Sequence, residues 1–161
     1  MSGCAKCGSA SVRAVMAERS LEVAGHRFTA ELPASRCVAC GEVEVPAAAL
    51  ERFELAAASM LADACVSSGE AFAFMRRALG LPLEERAELL DERPEDLARW
   101  ERCDFVYRSA LEMVGALVRE KLAGRDPHAV DPAAVEKLLL AYHRPRPLAK
   151  TVRVQLAGVG T

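Results

Sequence analysis

Four of the six cysteines fall as Cys4-x2-Cys7-x29-Cys37-x2-Cys40. A Cys-x2-Cys turn lets two thiolates converge on one ion, and Gly8 and Gly41, each next after the second cysteine of its pair, relieve the tight backbone. Two such turns complete a tetrahedral four-sulfur site, the chemistry of one structural zinc ion, because no coordination position is left for water or substrate. Two cystines, or two unrelated surface turns, are the competing reading. The residues after Met1 lack the charged start, apolar middle and small-residue cleavage site of a signal peptide, so the expected compartment is the cytoplasm. Thiols stay reduced there, which favours the metal. Cys65 and Cys103 have no neighbouring base in sequence and read as buried or unreactive thiols.

No second constellation of that quality exists. The three histidines, His26, His128 and His143, sit in separate segments, and no Gly-rich phosphate loop appears, so no enzyme is expected. His26 reads as an exposed turn residue, since four cysteines already saturate the ion. Lys and Arg number 21 against 23 Asp and Glu, which gives no overall basic field for nucleic acid. The distribution is uneven, however: from Lys137 to Thr161 there are five basic residues and no acidic one. No apolar run approaches the length of a membrane span.

The elements that must position these groups can be read along the chain. Between the cysteine pairs, Phe28, Ala30 and Leu32 alternate after a turn at Ala24-Gly25, which predicts two or three short strands with little core of their own, held together by zinc. Pro46 opens a helix whose apolar residues Leu50, Phe53, Ala57, Leu61 and Ala64 recur at helical spacing; this stripe should pack within its own domain, with the next domain or a second subunit as the alternatives. Ser67 with Glu70 has capping-box spacing and marks a boundary. Helices over Ala71–Leu79, Leu83–Leu90 and 94–102 follow, the first stopped by Gly80. Asp104 is expected to cap a longer helix from Phe105 through Leu117 that ends at Gly124. Asp131-Pro132 predicts one more helix to Tyr142, and "KTVRVQL" reads as an edge strand, with a mobile tail as the alternative.

The fold class expected is therefore α+β: a zinc-bound β module over 1–45, a linker helix over 46–68, an all-α bundle over 69–125, and a C-terminal helix with a basic tail over 126–161. The two cysteine pairs, the second ending "CVACGE", together with "FMRRALGLPLEERAELLDERPEDLARWERC", resemble the MqsA-like antitoxin family, in which a YgiT-type zinc finger precedes an Xre-type helix-turn-helix. The likeness runs over roughly residues 1–120. It implies a dimer that binds operator DNA, represses its own promoter and binds a toxin ribonuclease. It also implies scaffold roles for Ala87, Leu89 and Leu90 in the second helix and for Leu97 and Trp100 in the third, and an ion pair from Glu101 to Arg76 or Arg77.

DNA contacts would then come from the third helix and its flanks, through Arg93, Glu95, Arg99 and Arg102. Arg99 takes the family's base-reading position, where a guanidinium can grip guanine O6 and N7. Glu95 takes the position of an amide, Leu83 that of a phosphate-binding glutamine, and Asp91 that of the turn glycine. A carboxylate at Glu95 can accept from cytosine N4, pair with Arg99 four residues on, or serve only the helix dipole with Asp96. The unbalanced cations Arg144, Arg146, Lys150 and Arg153 are the expected phosphate contacts. Homodimer pairing is expected through the helix Phe105–Leu122 and its successor. The alternative is an interaction module that keeps the scaffold, does not bind DNA, and docks a protein such as a toxin.

Overall fold

Alternating side chains on either side of Ala24-Gly25 fold into one long antiparallel hairpin, β1 (Val12–Val23) with β2 (His26–Cys37). Both turn residues have positive φ, Ala24 at 50° and Gly25 at 78°, the handedness that a two-residue turn needs to match strand twist. The structure, a computed structural model, describes residues 3–129 and 145–156. Within them lie a four-stranded sheet and five α-helices, a mixed α+β architecture. The helix expected from Asp131-Pro132 to Tyr142 lies outside the described residues.

The strands are longer than expected, 12 residues each, and they carry a core of their own. Along β2, Phe28, Ala30, Leu32 and Ala34 are buried on one face, the period-two pattern of a half-covered sheet. Their cover is α1 (Ala47–Asp63), which contributes Phe53, Ala57 and Leu61. At the cysteine end, β3 (Val43–Glu44) pairs antiparallel with Ser35 and Arg36. At the turn end, β4 (Thr151–Arg153) pairs parallel with Arg27–Thr29 on the same edge of β2, and Val154 is buried in the sheet core. The expected terminal strand is thus an edge strand.

Helix α1 is covered on its other side as well. Leu55, Ala58 and Ala62 belong to a second core with α2 (Gly69–Leu79), α3 (Leu83–Leu90), α4 (Pro94–Trp100) and α5 (Arg108–Leu122). Gly115 permits the close crossing of α1 and α5, since a Cβ there would sit 2.7 Å from that of Ala62. Arg119 of α5 then reaches Asp63 at the end of α1 with Nε and Nη2, at 2.9 and 2.6 Å.

Two expected caps move. Ser68, not Ser67, caps α2 by accepting from Ala71 N at 3.2 Å. The Ser67 carbonyl accepts instead from Val106 N at 2.7 Å, an anchor that pulls residues 101–107 across the start of α2. That anchor also explains why Asp104 caps nothing: burial of Val106 keeps the chain extended until Tyr107, and α5 starts at Arg108. Gly69 lies under this crossing, where a Cβ would be 2.2 Å from the Trp100 carbonyl oxygen and 2.6 Å from that of Cys103. Gly69→Ala should therefore lower unfolding stability by about 3 kcal/mol through overpacking against backbone. Gly25→Ala, with positive φ but open space, should cost only about 1–2 kcal/mol from backbone strain. Urea denaturation of both variants, with equal losses, would refute the difference.

Candidate metal centre and nucleic-acid interface

Each cysteine pair sits in a turn that closes on itself. Gly8 N donates to the Cys4 carbonyl at 2.8 Å and Gly41 N to the Cys37 carbonyl at 3.0 Å, with φ of 72° and 75° at the two glycines. The hairpin register brings the turns together, because Cys37 ends β2 opposite Val12 and Val38 N donates to the Ser11 carbonyl. Lys6 and Glu42 form an ion pair from one turn to the other at 2.9 Å. Cys4, Cys7, Cys37 and Cys40 thereby place their sulfurs within 4.8 Å of one another, close enough to hold a metal ion.

Cys4 and Cys40, and Cys7 and Cys37, stand 3.6 Å apart sulfur to sulfur. A tetrahedral zinc site with Zn–S near 2.3 Å has S···S edges of about 3.8 Å, so the four thiols fit. The Cys40 N–H, then that of Ala39, favours the Cys37 thiolate and draws its pKa down to about 6. The Glu42 N–H favours a thiolate at Cys40, but the hydrogen bond with Cys7, burial, and the Cys4 and Cys37 sulfurs outweigh it and push that thiol up to about 12. Four sulfurs so crowded could all ionise together only with a cation between them.

The second candidate lies on the helices. Arg76 of α2 holds Glu101 through two hydrogen bonds, Nε to Oε1 and Nη2 to Oε2, the latter 3.0 Å long. Both side chains are more than four-fifths buried. Leu97 is fully buried beneath α4, and Trp100 packs edge-on against Phe72 and Tyr107, with centroids 6.1 and 5.7 Å away. These groups leave Arg93, Glu95, Arg99 and Arg102 exposed.

Of the readings open for Arg99, a pair with Glu95 is not the one found. Asp96 is the partner of both arginines: Arg93 Nε donates to its Oδ2 at 2.7 Å and Arg99 Nη2 to its Oδ1 at 2.8 Å. Its carboxylate is only 14% exposed, against 77% and 65% for the two arginines, because the three-residue spacings to either side bring both over it. The Arg93 hydrogen bond, against some desolvation, holds its carboxyl below the ordinary range. Asp91, in place of a glycine, ends α3 in the left-handed region at φ 52°, which aspartate tolerates.

The basic tail is only partly available. Arg153 pairs with Glu31 at 3.2 Å, Arg146 and Lys150 are exposed, and Arg144 lies outside the described residues. His26, expected to be a solvent-exposed turn residue, is half-buried in β2, and its Nδ1 donates to the Ala149 carbonyl at 2.8 Å, fastening the tail to the hairpin. No local signal could have foretold that contact across 123 positions. Nor is α5 an open pairing surface: Leu111, Val114, Leu117 and Val118 are buried within the chain by α1 and α2. Phe105 and Tyr107, stacked edge-on at 6.4 Å, remain exposed beside it. Among the described residues no helix is long and apolar enough to cross a membrane.

No family model, curated protein or solved structure matches the chain. The geometry therefore stands alone. Glu101→Ala should leave the Arg76 guanidinium only its 3.4 Å hydrogen bond to the Leu81 carbonyl and cost about 1.5–3 kcal/mol, the range for charge-assisted hydrogen bonds. A thermal or urea midpoint equal to that of the wild type would show that the clamp does not hold α4 in place.

Proposed function

We propose that the protein is a zinc-containing helix-turn-helix regulator of the antitoxin type, an autorepressor that binds operator DNA as a homodimer. The observation that carries this reading is the presentation of α4. Leu97 and the Arg76–Glu101 pair fasten it from below, while Arg93, Arg99 and Arg102 stand exposed above. Short helices α2, α3 and α4, joined by tight connections, suit such a reader, and a dimer would set two of them about one DNA turn apart. Arg146 and Lys150 supply phosphate contacts beyond the helix.

Zinc is the metal of choice for four thiolates, and its role is structural. With the turn half of the hairpin already packed on α1, the ion organises chiefly residues 3–11 and 37–44. Elemental analysis of protein purified under reducing conditions should find one zinc per chain. On chelation, amide exchange should accelerate in those two segments while Phe28 to Leu32 stays protected. Full exchange throughout the hairpin would mean that the metal, not α1, holds the sheet.

A second reading, a module that docks a protein such as a toxin, is favoured by one feature. From Leu83 to Arg99 there are seven acids and three arginines, two of them already held by Asp96. Footprinting on the protein's own promoter at two salt concentrations separates the two. Specific protection that survives the higher salt supports the regulator, with Arg146→Ala weakening all DNA alike. Binding that vanishes equally on promoter and random DNA hands the conclusion to the docking module.

A further inference from the structure

The family resemblance implies Arg99 as the reader of bases. The side-chain geometry points instead to the residue just ahead of the helix: resting on the DNA-binding reading above, we propose that Arg93, at the N-cap of α4, is the principal base-reading residue and that Asp96 is its positioning residue. The guanine class of ligand follows from which nitrogen atoms are engaged. Arg93 gives only Nε to Asp96, so Nη1 and Nη2, the end-on fork that matches guanine O6 and N7, are both left for DNA. Arg99 gives Nη2, one tine of the same fork. Its remaining donors suit a single contact to a phosphate or a base.

The base of the Arg93 side chain is held too. Its carbonyl accepts from Asp96 N at 3.0 Å and Leu97 N at 3.2 Å, and its backbone is extended, at φ −85° and ψ 144°, as required ahead of Pro94. A long arginine ordinarily loses rotamer freedom on binding; here the carboxylate has restricted it beforehand, which favours one register of contact over others. Asp96 thus has the opposite effect from a simple acid on a DNA-facing helix. It lowers the net charge by one, which weakens binding to any sequence, and it fixes a guanidinium, which sharpens the choice among sequences. Glu95, adjacent in sequence and exposed, has only the first effect.

The test is selection of bound duplexes from a random pool, followed by affinities for the selected site and for the same site with its guanine replaced. Wild type should discriminate by roughly 10-fold at that base pair, within the range of one bidentate contact. Arg93→Ala should abolish the discrimination. Asp96→Asn, nearly isosteric, should cut it several-fold while leaving or raising affinity for unrelated DNA; a ratio of affinities is unaffected by a smaller folded fraction. In free protein, the Arg93 Nε–H should exchange slowly with solvent by 15N NMR, and faster in Asp96→Asn. If Asp96→Asn tightens all sequences equally with its preference intact, or if only Arg99→Ala removes the preference, the assignment is overturned while DNA binding stands. A wild-type pool with no enriched sequence would sink the DNA-binding reading itself and this inference with it.

Discussion

Everything in this molecule hangs on a helix with two apolar faces. Helix α1 presents Phe53, Ala57 and Leu61 to the hairpin and Leu55, Ala58 and Ala62 to the helices. A helix apolar most of the way round must be buried, and neither the sheet nor the helical bundle could cover it alone. The crossing with α5 is close because Gly115 has no side chain, and the Asp63–Arg119 pair closes its end. So a segment that reads as a connector is the shared wall of both cores. One consequence is a division of labour in the hairpin, where apolar burial holds the turn end and the cysteines gather the other.

The presentation of α4 depends on that wall at one remove. Val106 reaches back to Ser67, in the turn that joins α1 to α2, and the crossing over Gly69 fixes Trp100 and the carbonyls around it. Glu101 then meets Arg76 where both are mostly dry, so leaving either unpaired is costly. A short helix of seven residues has little stability of its own. It is held because Leu97 is buried in the helical core and its C-terminal end is fastened to α2 through Trp100 and Glu101, which leaves the opposite surface to carry the polar side chains.

On that surface two adjacent carboxylates have come to play different parts. Glu95 is exposed, while Asp96 lies beneath two guanidiniums and is kept ionised by them. The charge of the face is therefore less negative toward a ligand than a count of residues suggests, though the acids of α3 still dominate its flank. The same contrast of proximity and composition applies to the Cys37 and Cys40 thiols, where hydrogen bonds from backbone N–H groups lower the first and crowding by neighbouring sulfurs raises the second.

Much of this was legible in the sequence because it depends on neighbours. The spacing of Cys4, Cys7, Cys37 and Cys40 set the cluster, Ala24-Gly25 the turn, Gly80 a helix stop, and Leu83–Leu90 a helix whose bounds match the observed ones. The periodicity of α1 foretold the face that carries Phe53, Ala57 and Leu61, but not the second face of Leu55, Ala58 and Ala62. What tertiary structure alone decided was which polar group meets which. Asp104 lost its cap to the burial of Val106, His26 found the Ala149 carbonyl, and Arg153 took Glu31. Even three residues apart, Asp96 rather than Glu95 became the partner of Arg99, because the burial of Leu97 sets the rotation of α4 about its axis and so which acid lies under the arginines. Local spacing determines the geometry a segment can adopt; burial against distant residues determines which face of it remains for chemistry.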